Sequence, residues 1–237
     1  MEFIKSIFRY LYFLYLHLRG NPGVELWKVR LIEKTNEFND VVTLKFEKPQ
    51  DFKFKAGQYI HFMVPDAFIH PNYVRHMSMA SACDEDFILF SMDLSSKTKF
   101  KRKVAASKVG DLFSIYNVRG EFTLDRSNSK DKICFIAGGV GITPFRSFIA
   151  SKPAQEWELL YADDRGYCYE DFINSESLKD KIHKLNKDSI YPSIDSRIES
   201  VDDFYLCGSK NFVTAIRDYL LSKGIDDKRI ILEDFGI

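Results

Sequence analysis

Two stretches of the chain combine residue types and spacings suited to chemistry. The first is Ile133-Cys134-Phe135-Ile136-Ala137-Gly138-Gly139-Val140-Gly141-Ile142-Thr143-Pro144. Its apolar run, ending at Ala137, predicts a strand buried on both faces. Gly138, Gly139 and Gly141 then let the backbone turn tightly, Thr143 is placed to cap a following helix, and Pro144 suits the first helical position. A helix start of this kind presents unpaired N–H groups and the positive end of a dipole to a phosphate. An ordinary strand–turn–helix with packing glycines has the same signature, and Pro144 stands where the third glycine of GxGxxG would be. The second stretch is Arg75-His76-Met77-Ser78-Met79-Ala80-Ser81, which follows Gly57-Gln58-Tyr59 and a strand. An Arg in an apolar neighbourhood calls for an anion, and Ser78 is placed to share a ligand-facing surface with it. By periodicity alone these two are a surface Arg and a core Ser on a barrel strand.

Other chemistries find no support. The four cysteines (83, 134, 168, 207) form no CxxC pair, and the five histidines (17, 61, 70, 76, 183) form no HExxH, so no metal is expected. Cys134 and Cys207 lie in apolar runs, as reduced buried thiols do, which points to a reducing compartment. No Ser-His-Asp set or carboxylate pair is evident. With 34 Lys and Arg against 34 Asp and Glu, the chain has no basic excess for general nucleic-acid binding. At 45% hydrophobic and 29% charged residues it is neither disordered nor a multi-span membrane protein.

The elements that must position the two stretches fall into blocks. Residues 24–125 give short runs rich in Val, Ile, Phe and Tyr at 26–32, 41–46, 59–64, 87–92 and 112–116, separated by turn residues, as in an antiparallel barrel. The polar run 125–132 reads as a linker. From Ile133 strands at 133–137, 157–162, 204–207 and 230–232 alternate with helices near 145–150 and 211–221, the latter closed by Gly224. That rhythm predicts a doubly wound parallel sheet. The expected fold is therefore two-domain β plus α/β, with an aromatic-rich helix over 1–21, a barrel over 22–127 and a nucleotide-binding domain over 128–237.

In this order GQY, RHMSMAS, FKRKVAASKVGDLFSIYNVRGEFTL, AGGVGITPFRS, YLCGS and a terminal EDFG resemble the ferredoxin–NADP reductase superfamily over residues 24–237. The resemblance implies a six-stranded antiparallel barrel holding FAD and a second domain binding NADH or NADPH, with the flavin between them. Within RHMS it implies that Arg75 pairs with the flavin phosphate and that the Ser78 hydroxyl approaches flavin N5, with His76 and Met77 beside the flavin. Met77 departs from the family's usual stacking Tyr. Lys99, Phe100 and Lys101 resemble the segment that holds the flavin pyrophosphate, although this cluster of cations also reads as a solvated basic loop. Gly138, Gly139, Gly141, Thr143 and Pro144 match the nicotinamide-nucleotide loop, Cys207 and Gly208 the CG motif beside the nicotinamide, and Glu233 and Phe235 the terminal acid and aromatic near the flavin.

The chemistry implied is an electron relay. Hydride passes from NAD(P)H to FAD, and electrons pass on to a separate acceptor protein (iron–sulfur, flavodoxin or haem), because the chain has no C-x4-C-x2-C spacing of its own. Ser78, Cys207 and Glu233 are the catalytic candidates. An NAD(P)H:flavin reductase releasing its flavin, and a catalytically silent redox sensor or adaptor, are the alternatives. Asp163 follows the second buried strand, where a carboxylate accepts from a ribose 2′-OH and repels a 2′-phosphate, which favours NADH. Arg165 pulls the other way.

Residues 1–20 lie outside the resemblance. Only nine uncharged residues separate Arg9 from Arg19, too few for the ~20 of a spanning helix. Glu2 in the would-be basic region argues against a signal peptide. The density of Tyr and Phe suits a membrane interface, a partner groove or the protein's own barrel, so the expectation is a cytoplasmic protein with peripheral membrane contact through this segment.

Overall fold

The structure, a computed structural model, describes residues 26–67, 72–127 and 131–233. The expectations for residues 1–21 and for Phe235 lie outside the described residues. The first half is six antiparallel strands: β1 (Leu26–Phe38), β2 (Val41–Glu47), β3 (Tyr59–Met63), β4 (Val74–Ser78), β5 (Phe87–Asp93) and β6 (Leu112–Arg119), in the order β4-β3-β6-β1-β2-β5. Just past β4, the Ala80 N–H donates to Leu89 O at 2.8 Å, bringing the β4 edge to β5 and closing the roll. Alternate side chains from all six strands meet in one core, where Phe46, Phe62 and Phe113 pack ring on ring at 5.1–5.5 Å.

The segment 99–102 is not a loop. It opens helix α1 (Lys99–Ala106), capped by Thr98, whose hydroxyl accepts from the Lys101 N–H at 3.3 Å. Phe100 and Val104, one turn apart, face the barrel core, while Arg102 between them is exposed and Lys101 and Lys103 are half-buried. Lys34 completes the helix by donating to the carbonyls of Val104, Ala105 and Ser107 near its C-terminus.

The second half is a five-stranded parallel sheet of β7 (Lys132–Gly138), β8 (Glu156–Ala162), β9 (Ile182–Leu185), β10 (Asp203–Cys207) and β11 (Ile230–Leu232), in the order β11-β10-β7-β8-β9. Helices α2 (Ile142–Ala150), α3 (Glu170–Ile173), α4 (Ile190–Asp195) and α5 (Lys210–Ser222) join them. The strand order reverses between β7 and β10, and such a switch point opens a crevice at the carboxyl ends of the strands. Helix α5 turns Val213, Ile216 and Leu220 onto the sheet.

Helix α2 lies between the two halves and is buried from Ile142 to Ile149. Its only charge, Arg146, donates to Ala80 O at 2.8 Å and to both carboxylate oxygens of Glu85 at 2.9 and 3.1 Å. Its guanidinium also sits 4.9 Å from the Phe172 ring centroid and 5.6 Å from that of Tyr169. Beside it, Ser147 donates to Ser81 O at 2.6 Å and the hydroxyls of Ser91 and Tyr169 are 2.5 Å apart. These bonds fix the barrel against the sheet. Among the described residues no helix is long and apolar enough to cross a membrane.

Candidate functional site

A cleft of ≈ 1030 Å³ runs from β4 and α1 of the barrel to the switch point of the parallel sheet. From the barrel it is lined by Arg75, His76, Met77, Ser78, Phe100 and Lys101. From the sheet it is lined by Gly138, Gly139, Gly141, Thr143, Asp163 and Gly208. Residues more than 130 positions apart thus converge on one cavity. Lys99, Pro144, Cys207 and Glu233 are not among its lining residues.

On the barrel wall, β4 is an edge strand of its sheet, paired with β3 among the described residues, and its Arg75, His76, Met77 and Ser78 line the cleft. Arg75 donates from Nη1 to Val74 O at 2.7 Å, and its guanidinium lies 5.3 Å from the ring centroid of the buried Phe100. Ser78 lines the cleft, and its buried hydroxyl has no hydrogen-bond partner among the described residues. Leaving such a group unsatisfied costs about 1–3 kcal/mol, so an orphan hydroxyl at a cavity wall marks a place for a polar ligand. His76 Nε2 lies 3.0 Å from His61 Nε2, its partner across β3 and β4. Burial, then the neighbouring His76, pushes His61 down to about 4, and burial lowers His76 as well, so the pair is neutral at neutral pH.

On the sheet side, β7 ends at Gly138 and runs through a 3₁₀ turn, Gly139–Gly141, into α2. The helix starts earlier than its sequence suggests. Gly141 holds the cap position, and the Thr143 hydroxyl, already inside the first turn, donates back to Val140 O. Pro144 is the third helical residue, still in the turn whose N–H groups have no partner within the helix. The turn passes so close to the end of β10 that a Cβ on Gly141 would lie 2.2 Å from Cys207 O and 2.6 Å from Gly208 N. Burial, followed by the nearby Glu233, pushes the Cys207 thiol well above its ordinary range, so it stays protonated. Glu233 is itself buried, and its N–H donates to Leu206 O at 3.1 Å. Asp163, just past β8, pairs with Arg165, and Asp164 pairs with Lys187 at 3.2 Å.

Sequence reasoning passed over two features. Arg146 carried a legible signal, since a lone cation in the apolar stretch Ile142–Ala150 requires a buried partner. The pairing of Arg165 with Asp93 on the barrel, at 2.7 Å, spans 72 positions and had none.

No family model matches the chain. Flavohemoprotein A of Dictyostelium discoideum is 26% identical over 235 residues, covering 86% of this chain and 58% of that protein. The Na(+)-translocating NADH-quinone reductase of Psychrobacter cryohalolentis contains a polypeptide that is 24% identical over 281 residues, covering 90% of this chain and 68% of that polypeptide. The chain therefore spans between about three fifths and two thirds of the length of these two relatives. Among solved structures, a ferredoxin NADP+ reductase from Neisseria gonorrhoeae with bound FAD and NADP superposes with a TM-score of 0.73 at 18% identity, covering 88% of this chain and 98% of that one. Phthalate dioxygenase reductase gives 0.73 at 20% identity, covering 89% and 68%. With an antiparallel barrel and a parallel sheet that superpose on these reductases, the chain has the ferredoxin–NADP reductase fold.

Proposed function

We propose that the chain is an FAD-dependent oxidoreductase that takes a hydride from NADH or NADPH and passes electrons to a separate acceptor protein. The observation that carries this reading is the orphan, buried Ser78 hydroxyl in the same cleft as Arg75 and the glycine turn. The residues present fit the group: a cation and a serine line the barrel wall, and a turn of three glycines and Val140 lines the other. In this reading residues 22–127 hold the flavin and residues 128–237 the nicotinamide nucleotide.

Bound FAD would supply the redox chemistry, accepting hydride at its ring and releasing electrons to the acceptor. The chain's own residues bind and align. Arg75 and Lys101 would neutralise the flavin's phosphates, and the Ser78 hydroxyl would donate a hydrogen bond to the ring. The turn 138–141 receives the nucleotide pyrophosphate on backbone N–H groups. Cys207, protonated and buried, lies outside the lining with Glu233 nearby and backs the turn at Gly141, so both act through the turn and no proton abstraction is required of them.

Arg75→Ala is expected to weaken FAD binding at least about tenfold, the loss of one charge-assisted phosphate contact. Equal affinities by fluorescence titration would remove Arg75 from the site. Ser78→Ala is expected to fold normally, since it removes an unsatisfied group, and yet to slow flavin reduction. Stopped-flow bleaching at the wild-type rate would show that the hydroxyl does nothing there. At the end of β8, Asp163, Asp164 and the neighbouring Asp93 outnumber Arg165 and Lys187, so a 2′-phosphate is disfavoured and kcat/KM is expected to be higher with NADH. A higher value with NADPH would reverse this assignment.

Met77 gives a second reading some support. A thioether in place of a stacking ring favours weaker retention and hence an NAD(P)H:flavin reductase. Gel filtration of the loaded protein decides: co-eluting stoichiometric FAD supports the first reading, and free flavin with turnover of added riboflavin supports the second. The relatives' names suggest haem or quinone-linked acceptors. Residues 1–20 are proposed to bring the reductase to a membrane-bound acceptor, and their deletion is expected to abolish co-sedimentation with anionic liposomes.

A further inference from the structure

Over the nucleotide turn, three charged side chains from both halves of the molecule meet. Arg165 donates from Nη1 to Asp93 Oδ2 at 2.7 Å, from Nε to Asp163 Oδ1 at 3.2 Å and from Nη2 to Asp163 Oδ2 at 3.3 Å. Asp93 closes β5 of the barrel and Asp163 follows β8 of the sheet, so the guanidinium bridges the cleft. All three side chains line it. Their placement over the turn is direct: from where a Cβ on Gly139 would stand, the nearest atoms are Asp163 Oδ2 at 3.3 Å and Arg165 Nη2 at 3.7 Å.

A carboxylate at that point is hostile to a phosphate. Asp163 is 5% exposed at its side chain, so water screens it poorly, and a pyrophosphate seated on the turn would face an unscreened like charge without a cation beside it. Arg165 is the cation in reach. Its side chain is 44% exposed and lines the cleft, and although each of its three nitrogens donates to a carboxylate, a guanidinium has five N–H groups in a fork that matches phosphate geometry. It is also shared between two carboxylates where one would neutralise it. Burial would raise the Asp93 carboxyl, but its bonds from Arg165 and Ser95 hold it down at about 2, so it competes for the guanidinium at every ordinary pH.

We propose that Arg165 is a ligand of the dinucleotide's pyrophosphate, held over the turn by Asp163 and Asp93, and that it exchanges the Asp93 carboxylate for phosphate oxygens when the dinucleotide binds. The assignment rests on the reading of this cleft as a nicotinamide-nucleotide site. It makes Asp163 a positioning residue for Arg165, and Asp93 a competitor that weakens nucleotide binding while tying the barrel to the sheet.

The test is calorimetric titration of the full chain, loaded with FAD, with ADP-ribose, NAD+ and NADP+. ADP-ribose carries the pyrophosphate without nicotinamide or 2′-phosphate. Arg165→Ala is expected to weaken all three by a similar factor, about tenfold or more, and Arg165→Lys to recover part of the loss. Asp93→Asn, which leaves the turn untouched, is expected to tighten ADP-ribose binding several-fold by removing the competitor. A purely structural bridge makes the opposite prediction, with Asp93→Asn weakening binding in parallel with Arg165→Ala, and that result overturns the proposal. So does ADP-ribose binding unchanged in Arg165→Ala, or a loss confined to NADP+, which would make Arg165 a 2′-phosphate ligand. If Arg165→Ala does not fold, Asp93→Asn decides alone. Wild-type protein that binds none of the three ligands removes the nucleotide site itself, a failure separate from that of Arg165.

Discussion

Gly141→Ala is expected to abolish dinucleotide binding and to cost about 3 kcal/mol or more of stability, the upper range for overpacking a filled site. The added methyl would stand 2.2 Å from Cys207 O, 2.5 Å from Cys207 C and 2.6 Å from Gly208 N. All three are backbone atoms, so no side-chain rotation relieves the contact. Relief requires β10 to part from β7, where Cys207 pairs with Ala137, or the 3₁₀ turn to open. Either movement displaces Gly138, Gly139 and Gly208 together, and with them both walls of the nucleotide end of the cleft. Thermal melts and NAD+ titration measure the two losses. A variant within about 1 kcal/mol of wild type that still binds nucleotide would mean the turn has slack that the geometry does not give it.

The second large effect is expected at the junction of the two halves. Arg146→Ala is expected to lose about 3 kcal/mol, the lower end of the range for breaking a buried ion pair because Glu85 retains 25% side-chain exposure against 10% for Arg146. For a chain of this size that corresponds to a fall in Tm of roughly 6–12 °C. The variant removes the Arg146 donor from Ala80 O and the cation from the Glu85 carboxylate, which keeps the Ala82 N–H at 2.6 Å, and it removes the guanidinium packed against Tyr169 and Phe172. Arg146→Met, which fills the space without charge, is expected to recover part of the loss if Glu85→Gln accompanies it. Proteolysis between Arg119 and Lys132, where the chain crosses from barrel to sheet, reports whether the halves separate. An unchanged melt for Arg146→Ala would make the pair dispensable.

Much of this architecture was legible because its strands are dense in β-branched and aromatic residues and the glycine turn punctuates β7 so plainly. The elements that escaped pattern reading did so for physical reasons. Strand β4, VRHMS, was legible as a barrel strand but not as a cleft wall, because its Arg, His and Ser form no apolar run. Helix α1, KFKRKVAA, hides behind its lysines, and only Phe100 and Val104 face inward. Strand β9 and helices α3 and α4 are four to six residues long, too short for a period to emerge. In the site, the glycine turn and the barrel residues 75–78, 100 and 101 line one cleft, a convergence that their ordered motifs implied. Lys99 turned outward because it sits one residue before the inward Phe100 on a helix. The pairs Arg146–Glu85 and Arg165–Asp93 span 61 and 72 positions, and no local pattern encodes a contact of that range.

The central claim is that this cleft brings a reduced nicotinamide to a held flavin. The direct measurement is an anaerobic titration of the FAD-loaded, gel-filtered full chain with NADH, followed through the oxidised-flavin absorbance in the visible. Stoichiometric co-elution of FAD and bleaching by one equivalent of NADH are expected, with recovery on adding a one-electron acceptor such as ferricyanide. A protein that holds FAD through gel filtration and keeps its full visible absorbance in excess NADH and NADPH would contradict it.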